Sequence, residues 1–210
     1  MHIPDGFLAP STWIPAWFIT IGGLGVSLRR TQEILKERMV PLMGVMSAFI
    51  FAAQMLNFPV IGGTSGHLLG GVLAAILLGP YAGAVVIAVV LIAQCFIFQD
   101  GGITALGANI LNMSFVGAVG GYFIYRIMRR LIKNKSGLMI ATAVAAWSSV
   151  VLASAACALE LFFSGVAPLR VVFPAMVGMH ALIGIGEAVI TCLAIGYIRK
   201  VRPDLIASKI

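Results

Sequence analysis

The first two residues, Met1 and His2, form a chelating unit in their own right. The α-amine of Met1, the backbone nitrogen of His2 and the Nδ1 atom of its imidazole can close a five-membered and a six-membered ring around one ion. Deprotonating the amide needs a strongly Lewis-acidic metal, and Ni(II) or Cu(II) in a square-planar nitrogen field meets that need. His67, flanked by glycines in GGTSGHLLGG, is the candidate for the fourth corner. A histidine at position 2 is also often incidental, so these residues alone leave metal binding open.

A second pair of chemically capable side chains, His180 and Glu187, lies near one face of a predicted helix in GMHALIGIGEAVIT. The pair indicates either a proton relay or part of a substrate path, or else a polar network that fixes this helix to its neighbours. The cysteines lie in apolar runs without Cys-x-x-Cys spacing, which is typical of packing residues rather than of zinc or disulfide sites. They are Cys95, Cys157 and Cys192.

The composition is that of an integral membrane protein. Hydrophobic residues make up 60% of the 210 residues and charged residues only 10%, whereas a soluble domain carries about 25% charged residues. Several apolar runs reach the length needed to cross a bilayer, although the third is short. The sequence predicts an all-α, multi-pass protein of a bacterial cell membrane with seven transmembrane helices. The predicted spans cover 12–28, 40–57, 67–79, 81–98, 105–125, 138–163 and 171–198.

The distribution of the basic residues predicts the orientation in the membrane. The net charge is +7, but every Lys and Arg except Arg170 follows the first, fifth or seventh span, which argues against a nucleic-acid-binding surface. With seven spans these segments lie on one side, and the positive-inside rule makes that side cytoplasmic. The amino terminus is therefore predicted outside and the carboxyl terminus inside. The basic residues of the three segments are Arg29, Arg30, Lys36 and Arg38; Arg126, Arg129, Arg130, Lys133 and Lys135; and Arg199, Lys200, Arg202 and Lys209.

A single integral membrane domain, 1–210, is predicted, with 1–11 as an outward-facing metal-binding segment. The stretch before the first span lacks the positively charged region of a signal peptide. A bulky residue at position 2 disfavours removal of Met1, so a free Met1 amine is expected. The sequence contains no G-x-x-x-x-G-K-S/T phosphate loop, so any ATP hydrolysis would belong to a partner chain.

Small residues recur at helical spacing in several spans. Gly79 and Gly83, and likewise Gly117 and Gly121, form G-x-x-x-G motifs. Such motifs let helices approach closely, either within one chain or against a partner membrane subunit. The second span, with Gly44, Ala48 and Ala52, is the first choice for a partner surface.

Three motifs resemble the NikM/CbiM proteins, the substrate-capture (S) components of energy-coupling-factor importers for nickel and cobalt. They are MHIPDGFL at the amino terminus, GGTSGHLLGG around His67 and HALIGIGEAVIT in the last span. The resemblance covers essentially the whole chain. The PDG after Ile3 resembles the nickel branch more than the cobalt branch.

The resemblance implies a six-helix S-component core with one added N-terminal helix. It implies a metal site made of the Met1 amine, the amide nitrogen and imidazole of His2, and the imidazole of His67. It also implies a transmembrane coupling (T) subunit, two cytoplasmic ATPase subunits and a small accessory membrane subunit as partners, in addition to membrane lipid. Asp5 and Ser65 are predicted to support the ligating histidines, because the second nitrogen of a ligating ring usually has a hydrogen-bond partner.

The predicted function is ATP-driven import of Ni(II), bound as substrate on the extracellular side by Met1, His2 and His67, with no organic cofactor and no covalent chemistry. Co(II) is the alternative substrate, and a proton-coupled secondary metal transporter using His180 and Glu187 is the second alternative. An enzyme using that pair as acid and base lacks an accompanying nucleophile. An S component for an organic vitamin would leave His2 and His67 unexplained.

Overall fold

Helices account for most of the structure, a computed structural model that describes residues 1–35, 37, 39–60, 64–134 and 136–207. Among these residues, five helical stretches are long and apolar enough to cross a membrane: Pro10–Ile34, Pro80–Phe98, Leu106–Leu131, Gly137–Phe163 and Leu169–Val201. A further apolar helix, Met39–Gln54, is shorter. The chain is a multi-pass membrane protein, as predicted. In chain order the helices are α1 (Pro10–Ile34), α2 (Met39–Gln54), α3 (Gly71–Leu78), α4 (Pro80–Phe98), α5 (Leu106–Ile110), α6 (Gly121–Leu131), α7 (Gly137–Phe163), α8 (Leu169–Val201) and α9 (Asp204–Ala207). A π-helical segment, Leu111–Gly120, joins α5 to α6.

Part of the basic pattern that predicts the orientation lies outside the described residues, namely Lys36, Arg38, Lys135 and Lys209. The same is true of Gly62 and Gly63 in the glycine-rich motif. Of the described basic residues, two lie in the last turn of α6 and two in the last turn of α8. These are Arg129 and Arg130, and Arg199 and Lys200.

A short antiparallel hairpin lies between α2 and α3 and corrects two predicted spans. Strand β1 (Asn57–Val60) pairs with β2 (Thr64–His67), with Asn57 opposite His67. The predicted spans 40–57 and 67–79 are therefore wrong at this connection, and the all-α prediction missed the hairpin. Pro59 gives the physical reason, because proline lacks the helical hydrogen-bond donor and biases the preceding residue towards an extended conformation.

The third predicted span is a short buried helix. α3 has 8 residues, all of them buried, and at 1.5 Å per residue it is about 12 Å long, against about 30 Å for the hydrocarbon core of a bilayer. It packs against α4, α7 and the π-helical segment. Irregular backbone at membrane depth is tolerated where protein surrounds it, as it surrounds α3, whereas three of the four residues of β1 are exposed. Seven crossings stay a prediction.

The two G-x-x-x-G motifs make contacts within the chain. A Cβ atom at Gly83 would press on the backbone of Ala75 in α3, and one at Gly121 would meet Val72 and Ser149. At Gly44 in α2, in contrast, a Cβ atom would meet nothing within 4 Å. The small residues of α2 therefore face outward.

Residues 1–9 fold back onto the bundle. Met1 and Ile3 are both 0% exposed. The N–H of Ile3 donates to Oδ1 of Asn109 at 2.9 Å, and its carbonyl accepts from Nδ2 of Asn109 at 3.1 Å and from the N–H of Gly102 at 2.9 Å. Position 102 admits only glycine, because a Cβ atom would collide with the backbone of Asp5. The amino-terminal segment is thus held against the connection from α4 to α5.

Candidate metal centre

The structure brings the three predicted ligand residues together. The amine of Met1 donates to the backbone carbonyl of Ser65 in β2 and lies 3.3 Å from Oγ of the same residue. The rings of His2 and His67 stack, with centroids 4.6 Å apart and planes inclined by 25°. None of the three residues is more than 4% exposed. One amine, one backbone N–H and two imidazoles therefore meet at a buried location between the amino-terminal segment and β2.

Hydrogen bonds fix which nitrogen of each ring carries the proton. Nε2 of His2 lies 3.1 Å from Oε1 of Gln94, and Nδ1 of His67 lies 2.7 Å from the carbonyl oxygen of Leu68. Both oxygens are acceptors, so the tautomers that satisfy these two contacts carry the proton on Nε2 of His2 and on Nδ1 of His67. Nδ1 of His2 and Nε2 of His67 then hold free electron pairs, and both are buried without a hydrogen-bond partner. Nδ1 of His2 is the ring nitrogen that a chelate through the amino terminus requires, and Nε2 of His67 is available as a fourth donor.

Asp100 brings a carboxylate to the same location. Its Oδ1 lies 3.3 Å from Nδ1 of His2, and its Oδ2 accepts from Nδ2 of Asn57 at 3.4 Å. Burial raises the pKa of Asp100, and the neighbouring amino-terminal charge acts in the opposite direction. A carboxylate oxygen facing a ring electron pair attracts a proton or a cation, since two acceptors cannot satisfy one another.

Burial also prepares the nitrogen donors for metal binding. It lowers the pKa of the Met1 amine to about 5. Burial, and then the nearby amino-terminal charge, lower the pKa of His2 to about 3, and the same causes bring the pKa of His67 well below its ordinary value. Metal ligands must be deprotonated, and at neutral pH these three groups are.

The two residues predicted to support the histidines occupy different places. Ser65 contacts the ligands directly, because its Oγ also accepts from the backbone N–H of His2 at 3.4 Å. Asp5 instead accepts from the backbone N–H groups of Ile103 at 3.0 Å and Thr104 at 2.8 Å. Hydrogen bonds from Thr104 lower the pKa of Asp5. Asp5 thus anchors the segment that carries the ligands, while Gln94 and the Leu68 carbonyl contact the rings.

His180 and Glu187 both face the stretch from β2 to α3. Nδ1 of His180 donates to the carbonyl of Met176 at 2.7 Å, and the backbone of Ser65 is a second neighbour of this ring. Glu187 accepts from the backbone N–H groups of Leu69 and Gly70. Within the described residues no hydrogen bond joins His180 to Glu187. Each is bound to backbone groups, and Nε2 of His180 is buried without a hydrogen-bond partner, so the proton relay and the polar network both stay predictions.

Side chains alone do not make this site. No group of three or more His, Cys, Asp or Glu residues placed to hold a metal ion occurs in the part of the chain that the structure describes. A metal held at Met1, His2 and His67 would therefore depend on the amine and on a backbone nitrogen. Cys95 and Cys157 are buried, and Cys192 is partly buried.

Sequence reasoning missed the residues that orient the donors. Gln94 and Asp100 stood out only as polar residues at the end of an apolar run. The Leu68 carbonyl gives no signal in a sequence, since every residue has one. Asn109, which pairs with both backbone groups of Ile3, had the same weak signal as Gln94.

Comparison with known proteins identifies the family of the chain. Residues 2–205 match CbiM, described as the cobalt uptake substrate-specific transmembrane region. The chain belongs to the CbiM family. An Archaeoglobus fulgidus protein named for fused nickel transport (NikMN) is 45% identical over 212 residues, which cover 100% of this chain and 69% of that one.

A further sequence relative and a solved structure also resemble this chain over nearly its whole length. The cobalt transport protein CbiM of Geobacter sulfurreducens is 33% identical over 218 residues, covering 99% of this chain and 62% of that one. A crystal structure of a truncated transition metal transporter superposes with a TM-score of 0.89 at 36% identity, covering 95% of this chain and 99% of that chain. The resemblance seen in the sequence is confirmed. As predicted, the chain is a transport component and not an enzyme.

Proposed function

We propose that this chain is the substrate-capture component of a nickel importer. It binds Ni(II) through the Met1 amine, the deprotonated amide nitrogen of His2, Nδ1 of His2 and Nε2 of His67. Four nitrogen donors in a plane suit Ni(II), whereas Zn(II) prefers a tetrahedral set.

The single observation that carries the proposal is the pair of orphaned ring nitrogens. Gln94 and the Leu68 carbonyl occupy the other nitrogen of each ring, and they leave Nδ1 of His2 and Nε2 of His67 buried and unpaired. Two rings inclined by only 25° do not direct their electron pairs at one point, so one ring turns when both nitrogens bind the same ion.

Co(II) is the alternative substrate. Relatives named for nickel and for cobalt transport both cover nearly the whole chain. The proposed donor set favours nickel, because amide deprotonation and a planar field suit the ion that gains most from strong nitrogen donors. Metal analysis of the purified protein after growth with equal nickel and cobalt discriminates the two.

The site is proposed to face the outside of the cell. α6 and α8 end in basic turns, and Arg29 and Arg30 lie near the end of α1. The ligand segment precedes α1, at the opposite end of that helix. Basic helix ends mark the cytoplasmic side, which supports an outward amino terminus and seven crossings.

Transport is proposed to need partner chains: a transmembrane coupling subunit, two cytoplasmic ATPases and a small accessory membrane subunit. The outward-facing Gly44, Ala48 and Ala52 of α2 support this helix as the contact with the coupling subunit. Uptake by cells that express the chain with and without the ATPases tests the dependence.

The decisive experiment blocks the amine. A short extension placed ahead of Met1 removes the free amine, and the same extension placed at the carboxyl terminus is the matched control. Titration of the purified protein with Ni(II) should show loss of high-affinity binding for the first protein only. His67→Ala should weaken binding severely, while Cys192→Ala, in α8 and hydrogen-bonded to the carbonyl of Met139, should not.

Equal nickel affinity for the two extended proteins contradicts the proposed ligand set. Uptake that collapses with the proton gradient and needs no ATPase would favour the secondary transporter instead.

A further inference from the structure

The backbone that follows His67 is held on both sides by buried side chains. Glu187 of α8 accepts from the N–H of Leu69 at 2.8 Å through Oε2 and from the N–H of Gly70 at 2.7 Å through Oε1. On the other side, Nε2 of Gln54 in α2 donates to the carbonyl of Leu69 at 2.8 Å. Glu187 is 2% exposed and Gln54 0%, so water does not replace these contacts.

One of these contacts reaches the metal centre through a single peptide group. The N–H of Leu69 belongs to the same planar group as the carbonyl of Leu68, and that carbonyl accepts Nδ1–H of His67 at 2.7 Å. A peptide group is rigid, so holding its N–H fixes the direction of its C=O. The carboxylate also polarises the group, which strengthens the bond to Nδ1 and makes Nε2 a better electron-pair donor.

We propose that Glu187 is a positioning residue for the fourth metal donor, acting on His67 through the peptide group between Leu68 and Leu69. The inference rests on the proposed function, since it takes Nε2 of His67 as a ligand. It extends that function by assigning α8 the task of orienting the ligand.

Other contacts of α8 agree with this assignment. Met176 accepts a hydrogen bond from Oγ1 of Thr64 at 3.0 Å, and the side chain of Ile183 lies against Gly66. Together with Glu187, these residues lie at i, i+7 and i+11, which places them near one face of a helix. That face follows the chain from Thr64 to Gly70, so a shift of α8 would be felt at His67.

A purely structural role makes a different prediction. Gly70 precedes the first residue of α3, and a carboxylate near the start of a helix is favourable on electrostatic grounds alone. If Glu187 only stabilises α3, its substitution lowers the melting temperature and leaves the bound metal unchanged. If it positions His67, the coordination of the metal changes as well.

The test compares Glu187→Gln with wild type and with His67→Ala, using the purified full chain loaded with Ni(II). In Glu187→Gln one carboxylate oxygen becomes an NH2 group, which donates and does not accept. The two oxygens of Glu187 each accept from one N–H group, so the variant loses one of these two contacts. Nickel affinity should fall about 10- to 100-fold. The visible ligand-field absorption should move to longer wavelength, towards that of His67→Ala, because a weaker oxygen donor replaces the imidazole in part of the molecules.

The matched control is Glu160→Gln. Glu160 is a carboxylate of α7 that accepts from Nδ2 of Asn112 at 2.6 Å, and among the described residues it has no hydrogen bond to a proposed ligand. This variant should keep the wild-type affinity and absorption even where its melting temperature falls. The proposal is overturned if Glu187→Gln keeps the absorption and nickel affinity of wild type. It is also overturned if Glu187→Gln and Glu160→Gln lose nickel affinity equally.

A second variant keeps the test open where Glu187→Gln does not fold. Glu187→Asp keeps the carboxylate but is one methylene shorter, so it cannot reach both N–H groups, and it should shift the absorption in the same direction by a smaller amount. Unchanged absorption in Glu187→Asp then overturns the proposal. Identical absorption in wild type and His67→Ala overturns the proposed function as well, because His67 is then no ligand.

Discussion

Gln94 and the carbonyl of Leu68 play the same part for two different rings. Each accepts a hydrogen bond from the ring nitrogen that faces away from the proposed ion. The nitrogen-to-oxygen distance is 3.1 Å for His2 and 2.7 Å for His67. A neutral imidazole has one proton, so the second nitrogen of each ring is left as an electron-pair donor. At the scale of single residues, the site is a pair of fixed tautomers beside an amine.

Substitution of Gln94 tests this reasoning. In Gln94→Leu the Nε2–H of His2 loses its acceptor, and the proton is expected on Nδ1, where Asp100 lies 3.3 Å away. The electron pair that would bind Ni(II) is then occupied, so affinity should fall about 10- to 100-fold. Calorimetric titration measures the change. Gln94→Glu, which keeps an acceptor, should restore much of the affinity.

The control for this prediction is Gln32→Leu, at an exposed position of α1. Nickel binding by Gln94→Leu as tight as that of wild type would show that the tautomer of His2 does not depend on Gln94.

The donors could be predicted from the sequence because their chemistry is local. Met1 and His2 are adjacent, and the chelate rings follow from bond connectivity alone. Gln94 could not be paired with His2, because the two lie 92 residues apart and meet only through the packing of α4 against the amino-terminal segment. Glu187 was noticed as a polar residue in an apolar run, but its partners are backbone groups that have no signature in a sequence.

At the scale of elements, the amino-terminal segment and the connection from α4 to α5 form one unit. Ile3 is bound on both backbone groups, and Asp5 holds the N–H groups of Ile103 and Thr104. The indole of Trp17 in α1 donates to the carbonyl of Thr104 at 2.9 Å. These contacts give a segment without regular structure hydrogen-bond partners for its backbone, as pairing in a sheet does for a strand.

Gly102→Ala should loosen this unit. The added Cβ atom collides with the backbone of Asp5, so the segment must move and the Met1 amine must move with it. We expect a clear loss of nickel affinity together with a lower melting temperature. Gly25→Ala in α1 is the matched control, because a Cβ atom there meets nothing within 4 Å and alanine favours helix.

Equal nickel affinities for Gly102→Ala and Gly25→Ala would show that the close approach at Asp5 does not position the amine.

The elements themselves were partly predictable. Long apolar runs indicated α4, α7 and α8, because a helix crossing lipid must be apolar over most of its length. The hairpin was missed because it lies almost wholly between the predicted spans 40–57 and 67–79, where proline and glycines are equally typical of a loop. α3 was read as a short crossing because its 8 residues are as apolar as those of a lipid-facing helix, although protein surrounds them.

At the scale of the whole molecule, large apolar side chains lie on the surface, and several polar side chains lie among the apolar residues of the core. Phe18 of α1 is 74% exposed and Leu193 of α8 69%, while Gln54, Gln94 and His180 are 0% exposed. An apolar surface is expected where lipid replaces water. Many buried polar groups have hydrogen bonds to side chains or to the backbone. The stability of the molecule therefore depends on which of the titratable groups carry a proton.

Stability should fall as the pH is lowered from 8 to 5 in metal-free detergent solution. In the unfolded chain the Met1 amine takes up a proton below its ordinary pKa of 8.0, whereas in the folded chain it does so only near 5. The unfolded state binds more protons across that range, and stability therefore rises with pH there. His2, with its pKa lowered from 6.5 to about 3, adds a further loss below pH 6.5.

Melting temperatures measured from pH 8 to pH 5 check this dependence. His2→Ala should show a shallower fall below pH 6.5 than wild type. A fall below pH 6.5 that is as steep in His2→Ala as in wild type would contradict the burial of the His2 ring as a neutral group.

The fully buried Met1 has a consequence for how sequence changes affect this protein. Its amine is bonded to the carbonyl of Ser65 and its side chain is 0% exposed, so the first residue is enclosed on all sides. Two of the four proposed donors are main-chain nitrogens, which no exchange of one side chain for another removes. Changes of length are different. One residue added at the start displaces the amine, so the five-membered and six-membered rings can no longer form with the same atoms. An insertion within the first two positions should therefore remove main-chain donors that a substitution there leaves in place.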